Sequence, residues 1–334
     1  MIRVAINGFG RIGRNTFKAG FGRADLKNIE WVAVNDLTEP ANLAYLLKHD
    51  TVYRDYDKKV SYDDKHLIVN GKKISVLAER DPAKLPWKKL KIDVVLECTG
   101  IFRDKESAGA HLKAGAKKVI ISAPSKGEGV ETYLLGVNAE KYNKERVIDM
   151  GSCTTNCIAP AMAVLQSAFG VEKALMTTVH GYTADQRLVD APHKDYRRGR
   201  TAGENIIPTT TGAAIATTKT IPELQGKFDG ISIRVPVSAG SISDFTCLLK
   251  KNVTAEQVNN AFKRAAKNPI YKGILAVTEE PIVSSDILGN PYSSIIDLPF
   301  TKVVGGNMVK ILAWYDNEWG YSNRLIEMVK EIQK

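Results

Sequence analysis

Cysteine is scarce in this chain, which has four cysteines among 334 residues. Four cysteines over such a length do not make a disulfide framework. They form no Cys-x-x-Cys pair and no cysteine–histidine cluster with the spacing of metal ligands, so zinc or another metal is not expected. We therefore predict a protein whose thiols stay reduced and which binds no metal.

Long apolar runs are also missing. No segment approaches the roughly 20 residues that a membrane-spanning helix needs. The N-terminus turns polar at Asn7, too early for a signal peptide. There is no internal repeat and no low-complexity linker. We expect a cytoplasmic protein without a membrane partner, and its length suggests two domains.

Acidic residues are outnumbered, and the formal net charge is +10. Such a charge attracts anionic small molecules and nucleic acid alike. The one dense basic cluster is Arg197-Arg198-Gly199-Arg200, and no helix-turn-helix, zinc-finger or RNA-recognition signature accompanies it. An RNA-binding protein remains an alternative, but nucleic acid binding is expected to be secondary at most.

A glycine-rich turn near the N-terminus has the context of a dinucleotide site. Residues 2–6 read as a buried strand, Gly8, Gly10 and Gly13 follow, and a helical run comes next. In such a unit the first glycine permits a tight turn and the second lets a pyrophosphate approach the backbone. The third lets helix and strand pack closely. The phosphates would lie at the N-terminus of the helix.

The end of the second predicted strand, residues 31–34, carries Asp36. An acidic residue there holds a ribose 2′-hydroxyl and repels a 2′-phosphate, so NAD is favoured over NADP. Two later strands end in small polar residues, at Thr99 and Ser122, which suits a crevice at the carboxyl ends of a parallel sheet. His111 has no partner pattern and is expected to be an ordinary surface or packing residue.

Cys153 is the most reactive candidate. It lies between an extended run, residues 147–149, and a helical run that starts near residue 158. Ser152 is a plausible N-cap, and the free N–H groups and helix dipole would then favour a thiolate. His180 ends a predicted strand where a long polar loop begins, so a cysteine–histidine pair is expected.

A thiolate and a nicotinamide in one chain imply aldehyde oxidation. Cys153 would add to the carbonyl carbon, hydride would leave to NAD, and a thioester would remain. His180 would take the hydroxyl proton, and the backbone N–H of Cys153 is a candidate oxyanion donor. A cysteine hydrolase that uses no NAD is a third alternative, and it leaves the glycine turn without a purpose.

Hydroxyls, amides and guanidinium groups that could hold phosphate follow the histidine. They are Thr183, Arg200, Thr211, Gly212 and Arg234. Two anion pockets would fit a substrate phosphate and an inorganic phosphate that attacks the thioester. A polar helix cap around residue 211 and a solvated loop or subunit contact around residue 200 remain open as alternatives.

The two halves differ in pattern. An α/β Rossmann dinucleotide-binding domain is predicted for residues 1–152. Longer alternating strands predict an α+β catalytic domain with a mixed, largely antiparallel sheet for residues 153–317.

The chain closely resembles the phosphorylating glyceraldehyde-3-phosphate dehydrogenases over essentially its whole length. The matching motifs are Asn-Gly-Phe-Gly-Arg-Ile-Gly-Arg at 7–14, Ser-Cys-Thr-Thr-Asn-Cys at 152–157, residues 180–187, residues 205–214, and Trp-Tyr-Asp-Asn-Glu-Trp-Gly-Tyr at 314–321. The resemblance implies reversible oxidation of glyceraldehyde 3-phosphate with NAD and inorganic phosphate to 1,3-bisphosphoglycerate, in glycolysis and gluconeogenesis. An erythrose-4-phosphate dehydrogenase is the nearest alternative.

The resemblance also implies roles for single residues. Cys153 would be the nucleophile and His180 the base. The cofactor would contact, beside the glycine turn, Arg11, Ile12, Asp36, Arg80, Ser122 and Asn317. Substrate or phosphate would contact Ser152, Thr154, Thr183, Arg200, Thr211, Gly212 and Arg234. A homotetramer is implied, with the C-terminal helix, residues 318–334, packed on the cofactor domain.

This chain departs from the usual family pattern before the nucleophile. Asp149-Met150-Gly151 stands where Ser-Asn-Ala is usual, and Gly181 follows the histidine where serine is common. Val237-Ser238-Ala239-Gly240 also replaces a common Thr-Pro pair. A carboxylate at Asp149 would raise the pKa of Cys153 if it pointed inward.

Overall fold

The computed structural model describes residues 1–333 and divides into two compact units. The first unit comprises residues 1–133, 141–151 and the segment from Ser322 onward. The second comprises Leu134–Glu140 and Ser152–Tyr321. The α-helices of the described chain are α1 Arg11–Gly20, α2 Pro40–Lys48, α3 Lys105–Lys113, α4 Cys153–Phe169, α5 Ala213–Thr220, α6 Ala255–Lys267 and α7 Trp319–Glu331.

The first unit is built on a nine-stranded sheet. Its strands are β1 Ile2–Asn7, β2 Ile29–Asn35, β3 Val60–Asp63, β4 His66–Val69, β5 Lys72–Leu77, β6 Val94–Glu97, β7 Lys118–Ile121, β8 Glu131–Thr132 and β9 Val147–Asp149. The order is β3-β4-β5-β2-β1-β6-β7-β9-β8. All neighbouring pairs from β5 to β8 are parallel, and only the β3–β4 and β4–β5 pairs are antiparallel. The predicted Rossmann sheet is therefore confirmed.

The inner strands of this sheet are buried on both faces because helices or loops cover them. All four residues of β6 are buried, and so are the last four of β1. The antiparallel pair β4–β5 turns at Asn70 and Gly71, both with positive φ, as the Asn-Gly sequence predicts. Polar residues at the carboxyl ends of β1, β2 and β6 consequently lie along one edge of the sheet.

The last helix joins the first unit from Ser322 onward. Arg23 donates from Nη1 to Asn323 Oδ1 at 2.9 Å and from Nη2 to Glu327 Oε1 at 2.6 Å. Leu325, Ile326 and Val329 of the same helix are fully buried. The helix is therefore held to the first unit by a buried apolar face and by a partly exposed ion pair.

The second unit is built on a seven-stranded sheet. Its strands are β10 Val171–Gly181, β11 Ile207–Thr210, β12 Phe228–Val235, β13 Ser241–Leu249, β14 Leu275–Thr278, β15 Ser294–Val304 and β16 Met308–Tyr315. The order is β11-β12-β10-β13-β16-β15-β14. The β10–β12 and β14–β15 pairs are parallel and the others antiparallel, so the predicted mixed, largely antiparallel sheet is confirmed.

One local expectation differs from the structure. Residues 207–210, expected to be at most part of a helix cap, form a short strand, β11, and α5 begins at Ala213, after Gly212. Pro208 is accommodated because β11 lies at the edge of the sheet, where an absent N–H costs no ladder hydrogen bond.

The core of the second unit forms between α4 and its sheet. Cys157, Ile158, Met162 and Leu165 of α4 are fully buried in one apolar cluster that also holds Phe245 and other sheet residues. This packing anchors α4, so that its first residue, Cys153, lies over the sheet. None of the helices in residues 1–333 has the length and apolar character needed to cross a bilayer.

Candidate active site

Helix α4 begins at Cys153 with a complete capping box. Ser152 Oγ accepts from the Thr155 backbone N–H at 3.1 Å, and Thr155 Oγ1 accepts from the Ser152 backbone N–H at 3.1 Å. Each hydroxyl thus satisfies one of the amide groups that a helix start leaves unpaired. The cap that the sequence predicts at Ser152 is present, and it fixes Cys153 in the first turn.

The thiol of Cys153 meets the imidazole of His180 at the end of β10. The Cys153 Sγ and His180 Nε2 atoms are 3.4 Å apart. His180 is 2% exposed and lies edge-on to the ring of Tyr315, with centroids 5.9 Å apart. The two side chains that the sequence predicts as a pair are therefore in direct contact.

The other imidazole nitrogen defines the tautomer. His180 Nδ1 lies 2.6 Å from the Gly181 carbonyl oxygen, which can only accept a hydrogen bond. Arg234 Nη1, 2.9 Å from the same nitrogen, also reaches that carbonyl at 3.2 Å. We infer that Nδ1 carries the proton, because a carbonyl this close requires a donor. The lone pair of Nε2 then faces the sulfur, as a base requires.

Burial and charge keep this imidazole neutral. Removal from water and, to a lesser extent, the positive charges of Arg234 and Arg198 together lower the pKa of His180 to about 3, against the opposing hydrogen bond with Gly181. Burial also raises the pKa of the Cys153 thiol, against the opposing effects of Arg234 and hydrogen bonds from Thr154. The isolated chain therefore favours a neutral thiol–imidazole pair.

This result corrects the expectation that the helix N-terminus favours a thiolate. The N–H groups and the guanidinium of Arg234 do act in that direction, but the loss of hydration outweighs them. The helix terminus can be recognised from the local sequence, whereas the burial of the sulfur depends on the folded chain.

The charges of two arginines act on the histidine, and one of them, Arg198, was not predicted. Arg234 on β12 is the register partner of His180 on β10, which explains its contact with the ring. Arg198 donates to Thr209 Oγ1 at 2.9 Å and pairs with Asp185, and its charge acts on both His180 and Arg234.

Arg200, the predicted member of the basic cluster, forms an ion pair within its own loop, and its role toward phosphate stays a prediction. Its side chain is 62% exposed and pairs with Asp190 at 2.8 Å. The structure therefore associates Arg198, rather than Arg200, with the charge around His180. The cluster Arg-Arg-Gly-Arg indicated a basic loop, and the folded chain shows that the charge of Arg198 acts on His180.

The remaining predicted substrate residues surround the starts of α4 and α5. Thr154 Oγ1 lies 4.0 Å from the Cys153 sulfur and 2.9 Å from the hydroxyl of buried Tyr315. Thr211 and Gly212 lie at the start of α5, where Thr211 Oγ1 accepts from the Ala213 backbone N–H at 3.2 Å. Helix starts of this kind present amide donors to anions. Thr183 opens the loop after His180, and its carbonyl accepts from the Gln186 N–H at 2.9 Å.

The first unit contains a cavity of about 480 Å³ at the carboxyl edge of its sheet. Predicted cofactor residues Gly8, Gly10, Asp36 and Arg80 are among those that line it. The remaining lining residues are Asn7, Asn35, Leu37, Glu79, Cys98, Thr99, Ile101 and Phe102.

The three glycines of the turn have three different environments. Gly8 has φ +89°, and a Cβ there would come within 2.7 Å of the Thr99 backbone nitrogen. At Gly13 a Cβ would come within 2.3 Å of the Gly8 oxygen. At Gly10 a Cβ would meet no atom within 4 Å. The turn and the close packing need Gly8 and Gly13, whereas the space at Gly10 is open to a ligand, which fits a bound dinucleotide.

Asp36 is held beside this turn. Its carboxylate accepts from the Phe9 backbone N–H at 2.9 Å and from the Thr38 N–H at 3.0 Å. The Arg11 guanidinium pairs with Asp50 at 2.8 Å, while Ile12 lies in the first turn of α1. The carboxylate of Asp36 is therefore fixed at the rim of the cavity.

Two other predicted cofactor residues are anchored within their own units. The Ser122 backbone N–H donates to the Glu97 carbonyl at 2.9 Å in the first unit. Asn317 Oδ1 in the second unit accepts from the Gly240 N–H at 3.0 Å and from Ser241 Oγ at 3.1 Å. Their roles toward NAD stay predictions.

Asp149, one of the unusual residues before the nucleophile, is fully buried. Its carboxylate accepts from the Gly151 N–H at 2.7 Å, from Thr132 Oγ1 at 3.1 Å and from the Ser125 N–H at 3.2 Å. Burial raises the pKa of Asp149, and these donors oppose the rise. The carboxylate is thus occupied by donors of the first unit.

His111 is a second buried polar group, with partners that the sequence does not indicate. His111 is 0% exposed and bonds to Glu97 and Trp87, although it was expected to be an ordinary surface or packing residue. No local pattern reveals this, because its partners come from different elements.

Comparison with known proteins agrees with this architecture. Residues 2–105 match the family model described as the NAD binding domain of glyceraldehyde 3-phosphate dehydrogenase, and residues 152–317 match its C-terminal domain. Among curated proteins, the glyceraldehyde-3-phosphate dehydrogenase of Streptomyces coelicolor is 54% identical over 98% of this chain and 97% of its own length. Glyceraldehyde-3-phosphate dehydrogenase 1 of Bacillus subtilis is 52% identical over 100% of this chain and 98% of its own. The glyceraldehyde-3-phosphate dehydrogenase of Borreliella burgdorferi is 51% identical over 100% of this chain and 100% of its own length. This chain belongs to the glyceraldehyde-3-phosphate dehydrogenase family.

Proposed function

We propose that this chain oxidises glyceraldehyde 3-phosphate with NAD and inorganic phosphate to 1,3-bisphosphoglycerate, reversibly, through a thioester on Cys153. Family membership gives the NAD-dependent dehydrogenase activity of glycolysis; the residue roles are our assignment. The observation that carries this assignment is the 3.4 Å contact between Cys153 Sγ and His180 Nε2. Full-length identity to proteins of that name does not favour the erythrose-4-phosphate alternative.

The pair performs the covalent step. As the sulfur of Cys153 bonds to the aldehyde carbon, its proton passes to His180 Nε2 and then to the new oxyanion, giving a hemithioacetal. Bound NAD supplies the hydride acceptor. His180 takes the hydroxyl proton as hydride leaves the carbon, and a thioester remains on Cys153. Phosphate then attacks the thioester carbonyl, the C–S bond breaks, and the acyl phosphate leaves.

The residues around the pair bind the anions. We assign Arg198, Arg234, Thr183, Thr211 and Gly212 to the substrate phosphate and the inorganic phosphate. The guanidinium groups of Arg198 and Arg234 supply charge beside His180, and the start of α5 supplies amide donors. Ser152 and Thr154 lie at the start of α4, where they could bind the attacking phosphate.

Replacement of the nucleophile tests the proposal. We expect Cys153→Ser to abolish phosphate-dependent NADH formation from glyceraldehyde 3-phosphate while NAD binding, measured by calorimetry, stays intact. Cys247→Ala is the matched control, because Cys247 is a buried core residue of β13. Measurable turnover in Cys153→Ser would refute the nucleophile assignment, and wild-type protein without activity would refute the proposed function.

The domain bounds, assembly and location form part of the same proposal. We assign residues 1–152 to the cofactor domain, residues 153–317 to the catalytic domain and the segment 318–334 to the cofactor domain; its last residue lies outside the described residues. We also propose a cytoplasmic homotetramer, on the family resemblance. Exposed apolar side chains support the assembly: Leu175 and Ile215 are 66% and 61% exposed at an open groove of about 660 Å³.

A further inference from the structure

A buried hydrogen-bond chain leads to the cofactor cavity of the first unit. We propose that Glu97 is a positioning residue for the dinucleotide: with His111 and Trp87 it holds the polar wall of the cavity in one hydrogen-bonding orientation. The proposal rests on the proposed function, because it takes NAD as the ligand of this cavity.

The carboxylate of Glu97 is surrounded by donors. Glu97 ends β6 and is 1% exposed. It accepts from Asn7 Nδ2 at 2.6 Å, from the Thr99 backbone N–H at 2.8 Å and from His111 Nε2 at 2.9 Å, and also from the Thr99 hydroxyl. A carboxylate only accepts, so these four donors match its lone pairs. This saturation makes a buried acid acceptable.

At the end of the hydrogen-bond series farthest from the cavity, Trp87 sets the tautomer of His111. The Trp87 indole N–H can only donate, and it lies 2.9 Å from His111 Nδ1. Nδ1 must therefore accept, so Nε2 carries the proton that points at Glu97. Trp87 and His111 are both 0% exposed.

At the end of the hydrogen-bond series nearest the cavity, Glu97 fixes the orientation of two side-chain amides, those of Asn7 and Asn35. Because Asn7 Nδ2 donates to Glu97, Asn7 Oδ1 is the acceptor for Asn35 Nδ2 at 2.7 Å. Asn35 Nδ2 also donates to the Glu79 carbonyl at 2.8 Å, and Asn35 Oδ1 accepts from the Glu79 N–H at 2.9 Å. Each bond in this series leaves only one orientation for the next group.

This series of hydrogen bonds therefore connects buried side chains of the first unit with the wall of the cavity. Asn7, Asn35, Glu79 and Thr99 line the cavity, whereas Glu97, His111 and Trp87 do not. The three inner groups act through the wall residues. If these three side chains only filled space, their shape alone would matter. If they orient the polar groups of the cavity wall, Glu97 must also accept hydrogen bonds.

An isosteric substitution separates these two roles. Glu97→Gln keeps the shape but places an NH₂ against groups that already donate, either Asn7 and His111 on one side or Thr99 on the other. On that side the donors lose their acceptor, and the wall loses its fixed orientation. In the full chain we expect NAD to bind about tenfold more weakly, the effect of about one misplaced hydrogen bond. The KM for NAD should rise in parallel, while kcat and the KM for glyceraldehyde 3-phosphate change by less than about twofold, because lost uniform binding affects KM alone.

Trp87→Phe provides a second variant that keeps the ring but removes the donor. We expect a smaller loss of NAD affinity in the same direction. Val69→Ala is the matched control: Val69 is fully buried in β4 and does not line the cavity, so it lowers the thermal midpoint without a selective loss of NAD affinity.

The outcomes are distinct. Folded Glu97→Gln with wild-type NAD affinity, or with equal losses in all kinetic parameters as in a merely destabilised protein, would overturn the inference. If Glu97→Gln does not fold, unchanged NAD affinity in Trp87→Phe overturns it. Wild-type protein that binds no NAD would instead refute the proposed function. Failure of the proposed function is thus distinguishable from failure of the inference about Glu97.

Discussion

At the scale of single residues, Arg234 connects the electrostatics of the two reacting groups. Its positive charge lowers the pKa of Cys153 and the pKa of His180, because it favours an anion and disfavours a second cation. Burial acts on the same groups, raising the pKa of the thiol and lowering that of the imidazole. The net state of the pair therefore depends on how strongly this guanidinium opposes the burial of the sulfur.

Replacing this charge should move the reactivity of the thiol. In Arg234→Gln the pKa of Cys153 rises, so at any pH below that pKa less thiolate is present. We expect alkylation by iodoacetamide at neutral pH to slow by about threefold or more, the effect of half a pKa unit, and its pH profile to move to higher pH. The rate of thiol alkylation against pH measures this.

The remaining cysteines interfere little with that measurement. Burial raises the pKa of Cys98, Cys157 and Cys247 to about 12. Arg200→Gln is the matched control, because Arg200 is exposed and pairs with Asp190. An unchanged midpoint in Arg234→Gln, or an equal shift in Arg200→Gln, would contradict the role of Arg234.

At the scale of elements, the turn between β1 and α1 shows why one motif needs glycine for different reasons. The close contact at Gly13 lies between helix and strand, and the open space at Gly10 lies at the N-cap of α1. Gly10 has φ −73°, which any residue adopts, so its backbone does not require glycine. The two positions therefore separate folding from ligand binding.

Alanine at the two positions should affect two different properties, stability at Gly13 and NAD affinity at Gly10. Gly13→Ala overpacks the contact with Gly8 and should lower the free energy of unfolding by about 1–3 kcal/mol. Gly10→Ala should fold normally but bind NAD about tenfold more weakly, because its methyl group occupies the ligand's space. Denaturant unfolding and NAD titration of both variants measure this. Normal NAD affinity in Gly10→Ala would contradict the assigned pyrophosphate position.

At the scale of the whole molecule, the second unit exposes apolar surface that a monomer would leave in water. The groove that contains Leu175, Ile215 and Met308 is open, and all three side chains are at least 43% exposed. Removing such surface from water favours association. This surface supports the proposed assembly without identifying its symmetry.

A charge in this groove should weaken the assembly. We expect Leu175→Asp to lower the molar mass measured by light scattering below that of wild-type protein, because association would bury an unpaired carboxylate. Ile270→Asp is the control, since Ile270 is 48% exposed and does not line the groove. Equal masses for Leu175→Asp and wild type would place the interface elsewhere.

Across these scales, features that depend on neighbouring residues could be read from the sequence. The glycine turn, the Asn70-Gly71 hairpin and the Ser152 cap of α4 all involve groups a few residues apart, so residue type and spacing decide them. Short buried strands between helical runs likewise predicted the parallel sheet, and longer alternating strands predicted the largely antiparallel one. Family resemblance added the expected partners of Cys153 and His180.

Tertiary structure decided the properties that depend on distant residues. It let the charge of Arg198 act on His180, brought Trp87 and His111 to Glu97, and raised the pKa of Cys153 although its helix terminus acts in the other direction. Desolvation and Coulomb energy depend on which atoms surround a group in space. Spacing along the chain does not contain that information until the two sheets have formed.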